Sequence, residues 1–131
     1  MTSRRVLIVQ NEAQVRDVLS RTVERAGYTV FLAMTGESAA TMLAAQPVDG
    51  LILDLDLPTM TGEVLFHVVV SQWPELRRRI AITGDEAAQR KHKDWLLVHK
   101  LPVLTKPFRL AEVRRIVEFI TAKDPLEANG L

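Results

Sequence analysis

Residues 49–62 read Asp-Gly-Leu-Ile-Leu-Asp-Leu-Asp-Leu-Pro-Thr-Met-Thr-Gly, and the change of character at Asp54 decides the fold. Leu51, Ile52 and Leu53 form a short, unbroken apolar run, the pattern of a strand covered on both faces. The run passes directly into Asp54 and Asp56, then into a loop punctuated by Pro58 and Gly62. In a parallel sheet the carboxyl ends of the strands face the ligand crevice, so these carboxylates sit where chemistry is done.

Working outward, the same kind of run recurs at Val6–Val9, Tyr28–Leu32, Ile80–Thr83 and Pro102–Thr105. Amphipathic stretches lie between the runs. Residues 13–26 place Val15, Val18, Leu19 and Val23 at helical spacing, with Gly27 as the stop. Thr35 caps a helix over 36–45 that turns Ala39, Ala40, Met42 and Leu43 inward, and Pro47 ends it. A third helix carries Val64, Leu65, Val68 and Val69 toward Trp73 and stops at Pro74. The last helix shows one stripe of Leu110, Val113, Ile116, Val117 and Ile120. Five strands, each followed by a helix, predict an α/β domain with a parallel sheet and right-handed crossovers. Residues 1–123 are read as that domain, and 124–131 as a tail or the start of a linker.

The region after the fourth strand is unusual. Glu86 to Asp94 is almost wholly polar, with Arg90, Lys91, His92 and Lys93 in a row before Trp95-Leu96-Leu97-Val98. It reads as a solvated helix face or a partner-binding surface. His92 and His99 read as surface residues, and Arg77-Arg78-Arg79 as a solvated connection.

Composition sets bounds on function. The 131 residues carry a formal net charge of +1, which gives no global bias toward nucleic acid or anionic membrane. With no cysteine there is neither a disulfide nor a thiolate metal site. The apolar start Val6–Val9 is too short for a signal peptide, and no run approaches a membrane span, so a cytoplasmic location is expected.

The residues closing the strands are Gln10 and Asn11, Asp54, Thr83 and Lys106. A carboxylate, a hydroxyl and an ammonium converging on one crevice suit phosphoryl chemistry. Asp54 would be the nucleophile, Thr83 a hydrogen-bond donor to one phosphoryl oxygen, and Lys106 the charge on another. Each residue alone has an ordinary reading: a turn former, a strand-favouring threonine, a solvated lysine. Their joint position at the ends of neighbouring strands makes the combination informative.

The sequence resembles the receiver domain of two-component response regulators. The resemblance rests on Val6–Val9 with Glu12, the block Asp49–Gly62, Ile82-Thr83-Gly84 and Leu104-Thr105-Lys106-Pro107-Phe108. It implies a flavodoxin-like (βα)5 fold with strand order 2-1-3-4-5. It also implies that Asp54 accepts a phosphoryl group from a phosphohistidine on a sensor histidine kinase or histidine phosphotransfer protein. Thr83 and Lys106 would bind that group, Asn11, Asp54 and the Asp56 carbonyl would hold Mg²⁺, and the Lys106–Pro107 bond would be cis. Activity would extend at most to self-phosphorylation and autodephosphorylation at Asp54. Further candidate partners are a downstream protein on the 86–122 face and a second copy in a homodimer, with no direct nucleic acid or membrane partner.

Two departures matter. Where the family usually has two acidic residues after the first strand, this chain has Gln10 and Asn11, so Mg²⁺ binding is expected to be weak. Glu12 is assigned to the N-terminus of the following helix. Val103 stands where an aromatic residue often precedes the lysine motif. The alternative to a phosphorylated receiver is a pseudo-receiver, an interaction module of the same fold that takes no phosphoryl group. A nucleotide or flavin at the strand ends is disfavoured, because no glycine-rich loop follows the first strand.

Overall fold

The computed structural model describes residues 3–123, so the expected tail at 124–131 lies outside the described residues. Five parallel strands, β1 (Arg5–Val9), β2 (Thr29–Ala33), β3 (Gly50–Asp54), β4 (Ile80–Gly84) and β5 (Val103–Thr105), lie in the order β2-β1-β3-β4-β5. This is the flavodoxin-like topology that the sequence implies. The second and fifth strands fall within a residue of their expected limits, the normal slack at strand ends.

Six helices cover the sheet: α1 (Ala13–Arg25), α2 (Gly36–Ala45), α3 (Gly62–Gln72), α4 (Glu86–Lys91), α5 (Lys93–His99) and α6 (Leu110–Thr121). Because side chains alternate along a strand, the sheet divides the interior into two cores. Leu7, Val9, Leu51, Leu53, Ile80 and Ile82 pack with α2 and α3 through Leu43, Leu65, Phe66 and Val69. Val6, Ile8, Ile52, Ala81 and Leu104 pack with α1 and α6 through Leu19, Val23, Val113, Val117 and Ile120. Thr35 caps α2 as expected, accepting from the Ser38 N–H at 3.0 Å. Gly27 follows α1 at φ 101°, a left-handed backbone that favours glycine at a helix end.

Several expectations are corrected. Val18, Val64 and Leu110 lie on the apolar stripes but are 47%, 50% and 53% exposed. Val18 and Val64 each stand one residue, about 100° of helical turn, from the buried Leu19 and Leu65. Leu110 sits at the very start of its helix. The region after β4 is two short helices rather than one, broken at His92, whose Nδ1 meets Glu63 Oε2 on α3 at 3.0 Å. His92 and His99 are half-buried rather than surface residues. His99 packs against Phe66, His67 and Trp95, with ring centroids 5.1, 5.3 and 5.4 Å away. The Arg77–Arg79 run is more than a solvated connection. Arg79 Nη1 donates to the Asp49 and Ile120 carbonyls at 3.4 and 3.3 Å, and Arg77 Nη2 donates to the His99 carbonyl at 3.2 Å.

Candidate functional site

Asp54 is the last residue of β3 and lies in register with Thr83 on β4. The Thr83 hydroxyl donates to Asp54 Oδ1 at 2.8 Å, and Lys106 Nζ reaches the same oxygen at 2.7 Å. The other carboxylate oxygen accepts the Asp56 N–H at 3.2 Å. Three neighbouring strands therefore converge on one carboxylate, whose side chain is only 2% exposed. Lys106 is set by its own backbone N–H, which bonds the Gly84 carbonyl at 3.1 Å, and the Lys106–Pro107 peptide is cis. Burial pulls the Lys106 ammonium toward neutrality, but its bond to Asp54 and the charges of Asp54 and Glu12 outweigh that. Its pKa is held above the usual lysine range.

Gln10 is fully buried. Its Nε2 lies 3.4 Å from the Thr83 hydroxyl oxygen and donates to it, so the Thr83 proton is directed onto Asp54. Gln10 Oε1 is buried without a hydrogen-bond partner. Asn11 and Asp56 are exposed, and neither side chain hydrogen-bonds Asp54. Glu12 does not cap α1 with its side chain; its carboxylate turns to Lys106 Nζ at 3.3 Å. Sequence reasoning missed this second anion on the lysine, although Glu12 lies in the loop that leads out of β1.

The loop after β3 is pinned close to the carboxylate. The Gly62 N–H bonds the Leu55 carbonyl at 3.1 Å, and a Cβ on Gly62 would run into the Asp54 carbonyl oxygen. Thr59 adopts a left-handed φ of 63°, costly for a β-branched residue, and its hydroxyl bonds Glu37 Oε2 at 2.7 Å. That bond holds the Glu37 carboxyl below its ordinary pKa.

A divalent cation is what such a crevice ordinarily calls for. Among the described residues, no group of three or more His, Cys, Asp or Glu side chains could hold a metal ion. Among the described residues Asp54 is the one buried carboxylate, and its Oδ1 already takes two donors. Gln10 and Asn11 offer amide oxygens without negative charge, where a hard cation favours carboxylates.

Residues 6–118 match the family described as the response regulator receiver domain. The chain belongs to that family. The receiver is 32% identical over 119 residues to a "probable transcriptional regulatory protein" of Picosynechococcus, covering 86% of this chain and 47% of the relative. It is 30% identical over 123 residues to the response regulator MprA of Mycobacterium ulcerans, covering 94% and 52%. It thus spans about half the length of these relatives. Among solved structures, the chemotaxis response regulator CheY4 of Vibrio cholerae superposes with a TM-score of 0.79 at 25% identity, covering 91% of this chain and 99% of that one. The receiver domain of a Pseudomonas aeruginosa sensor histidine kinase, with magnesium coordinated in its active site cleft, gives 0.78 at 25% identity, covering 89% and 96%. Membership places this receiver in two-component signalling, where such domains work with histidine kinases or phosphotransfer proteins. Among the described residues, no helix is long and apolar enough to cross a membrane.

Proposed function

We propose that Asp54 accepts a phosphoryl group from a phosphohistidine of a sensor histidine kinase or histidine phosphotransfer protein. One observation carries the reading: an ammonium and a hydroxyl, from two different strand ends, meet on a single oxygen of a buried carboxylate. An Asp54 oxygen attacks phosphorus, the P–N bond to the imidazole breaks, and an acyl phosphate forms. Lys106 then turns from the carboxylate to a phosphoryl oxygen, Thr83 donates to another, and the Asp56 N–H stays aimed into the crevice. With both acidic positions replaced by amides, charge neutralisation falls mainly on Lys106, and Mg²⁺ binds weakly. The Thr83 and Lys106 segments, at the ends of β4 and β5, carry the response outward. Val103 offers no aromatic ring to swing, so the backbone and α4 do this. Gln89 of α4 already bonds the Gly84 carbonyl at 3.0 Å and the Thr105 hydroxyl at 2.9 Å.

The pseudo-receiver reading has its own support. Gln10 donates to the Thr83 hydroxyl, which donates in turn to Asp54, so the chain's own side chains hold that hydroxyl inward. A labelled phosphohistidine donor separates the two. Label on the wild type and none on Asp54→Asn is the expected result. No label from several donors, with or without Mg²⁺, leaves the pseudo-receiver standing.

A further inference from the structure

The strongest unexplained feature lies at the opposite end of the sheet from Asp54. A groove of about 740 Å³ opens at the amino ends of β4 and β5, between the Pro74–Ile80 segment, Lys100–Pro102 and the end of α6. Among the described residues, its lining includes Arg77, Arg78, Arg79 and Lys100 against one acid, Glu75. Among the described residues, no carboxylate pairs with Arg77, Arg78, Arg79 or Lys100. Arg79 is fixed by backbone carbonyls, and Arg77 by a carbonyl and by the Phe66 ring 5.3 Å beneath it, contacts that orient a guanidinium without a compensating carboxylate. Several unneutralised cations on one concavity repel each other, and an anion relieves that repulsion. Arginine's planar fork suits phosphate in particular.

The groove also has an apolar wall. Phe119 is 49% exposed, and Pro102 and Leu101 line the same space. A flat ring laid on Phe119 would cover apolar surface that otherwise faces water. The volume falls within the range of small-molecule sites. The net charge of +1 argues against the broad basic stripe that nucleic acid requires. We propose that this groove binds a nucleotide-class ligand, with phosphates on Arg78 and Lys100 and the ring on Phe119. The site is built from side chains, so it needs no glycine-rich loop. It does not depend on the role proposed for Asp54.

Titration of the ¹⁵N-labelled protein with ATP and, separately, with pyrophosphate, both without added metal, tests this. The expected result is saturable ATP shifts clustered at residues 77–80, 100–102 and 119–122, equally in Asp54→Asn. Pyrophosphate should bind the same residues about tenfold more weakly. Arg78→Glu combined with Lys100→Glu should weaken ATP at least about tenfold. Both positions are exposed, and the same spectra report whether the fold is kept. Phe119→Ala should weaken ATP but not pyrophosphate. The proposal is overturned by no shifts with millimolar ATP, by shifts confined to the Asp54 end, or by equal affinity for ATP and pyrophosphate.

Discussion

At the scale of single residues, the site is a carboxylate held by an ammonium and a hydroxyl, beside an amide where an acid is usual. Replacing Gln10 and Asn11 together by aspartate should raise Mg²⁺ affinity at least about tenfold, as read by calorimetric titration, because hard cations take carboxylate oxygens. An unchanged affinity would mean that the amides are not what limits the metal. Gly62→Ala sets a Cβ against the Asp54 carbonyl oxygen and should cost about 1–3 kcal/mol in urea unfolding. A wild-type midpoint would show that the loop after β3 gives way easily. Asp54, Thr83 and Lys106 were legible in the sequence because each closes an apolar run. The contact of Glu12 with Lys106 was not, since 94 residues separate them and only the folded chain brings them together. Nor could periodicity reveal that the Gln10 side chain turns inward to Thr83.

At the scale of elements, the sequence read the segment after β4 as one polar helix. It missed the break at His92, whose ring meets a group on another element, the Glu63 carboxylate of α3. α5 then lays Trp95 and His99 over Phe66 and His67, and Trp95 Nε1 donates to His67 Nε2 at 3.1 Å. Burial lowers the His99 pKa, with His67 and Arg77 adding to the effect and Glu63 opposing it. A histidine that resists protonation in the fold binds fewer protons than the unfolded chain just below its ordinary pKa. Its contribution to stability is complete above that value and is lost as pH falls through it. Urea midpoints should therefore drop on acidification from about pH 7.5 to 5.5, and His99→Phe should flatten that slope. An identical slope in the variant would remove His99 from the account.

At the scale of the whole molecule, the fold was readable because buried parallel strands leave unbroken apolar runs that few other architectures produce. The helical faces were less readable: Val18, Val64 and Leu110 are apolar by composition but lie at the flank or start of their helices. Apolar identity alone does not fix which way a helix is rolled against the sheet. The two cores allow a further test. Ile82→Val on β4 and Ile8→Val on β1 lie on opposite faces and should each cost about 0.5–1.5 kcal/mol. The double variant should match their sum to within about 0.5 kcal/mol, and a larger discrepancy would mean that the sheet transmits strain between its faces.

β3 sends Leu51 and Leu53 to one side and Ile52 to the other. The strand works as a party wall between two rooms, each furnished by different helices. If the rooms prove independent, substitutions in one should leave the other unchanged, while Asp54 closes the wall at its carboxyl end.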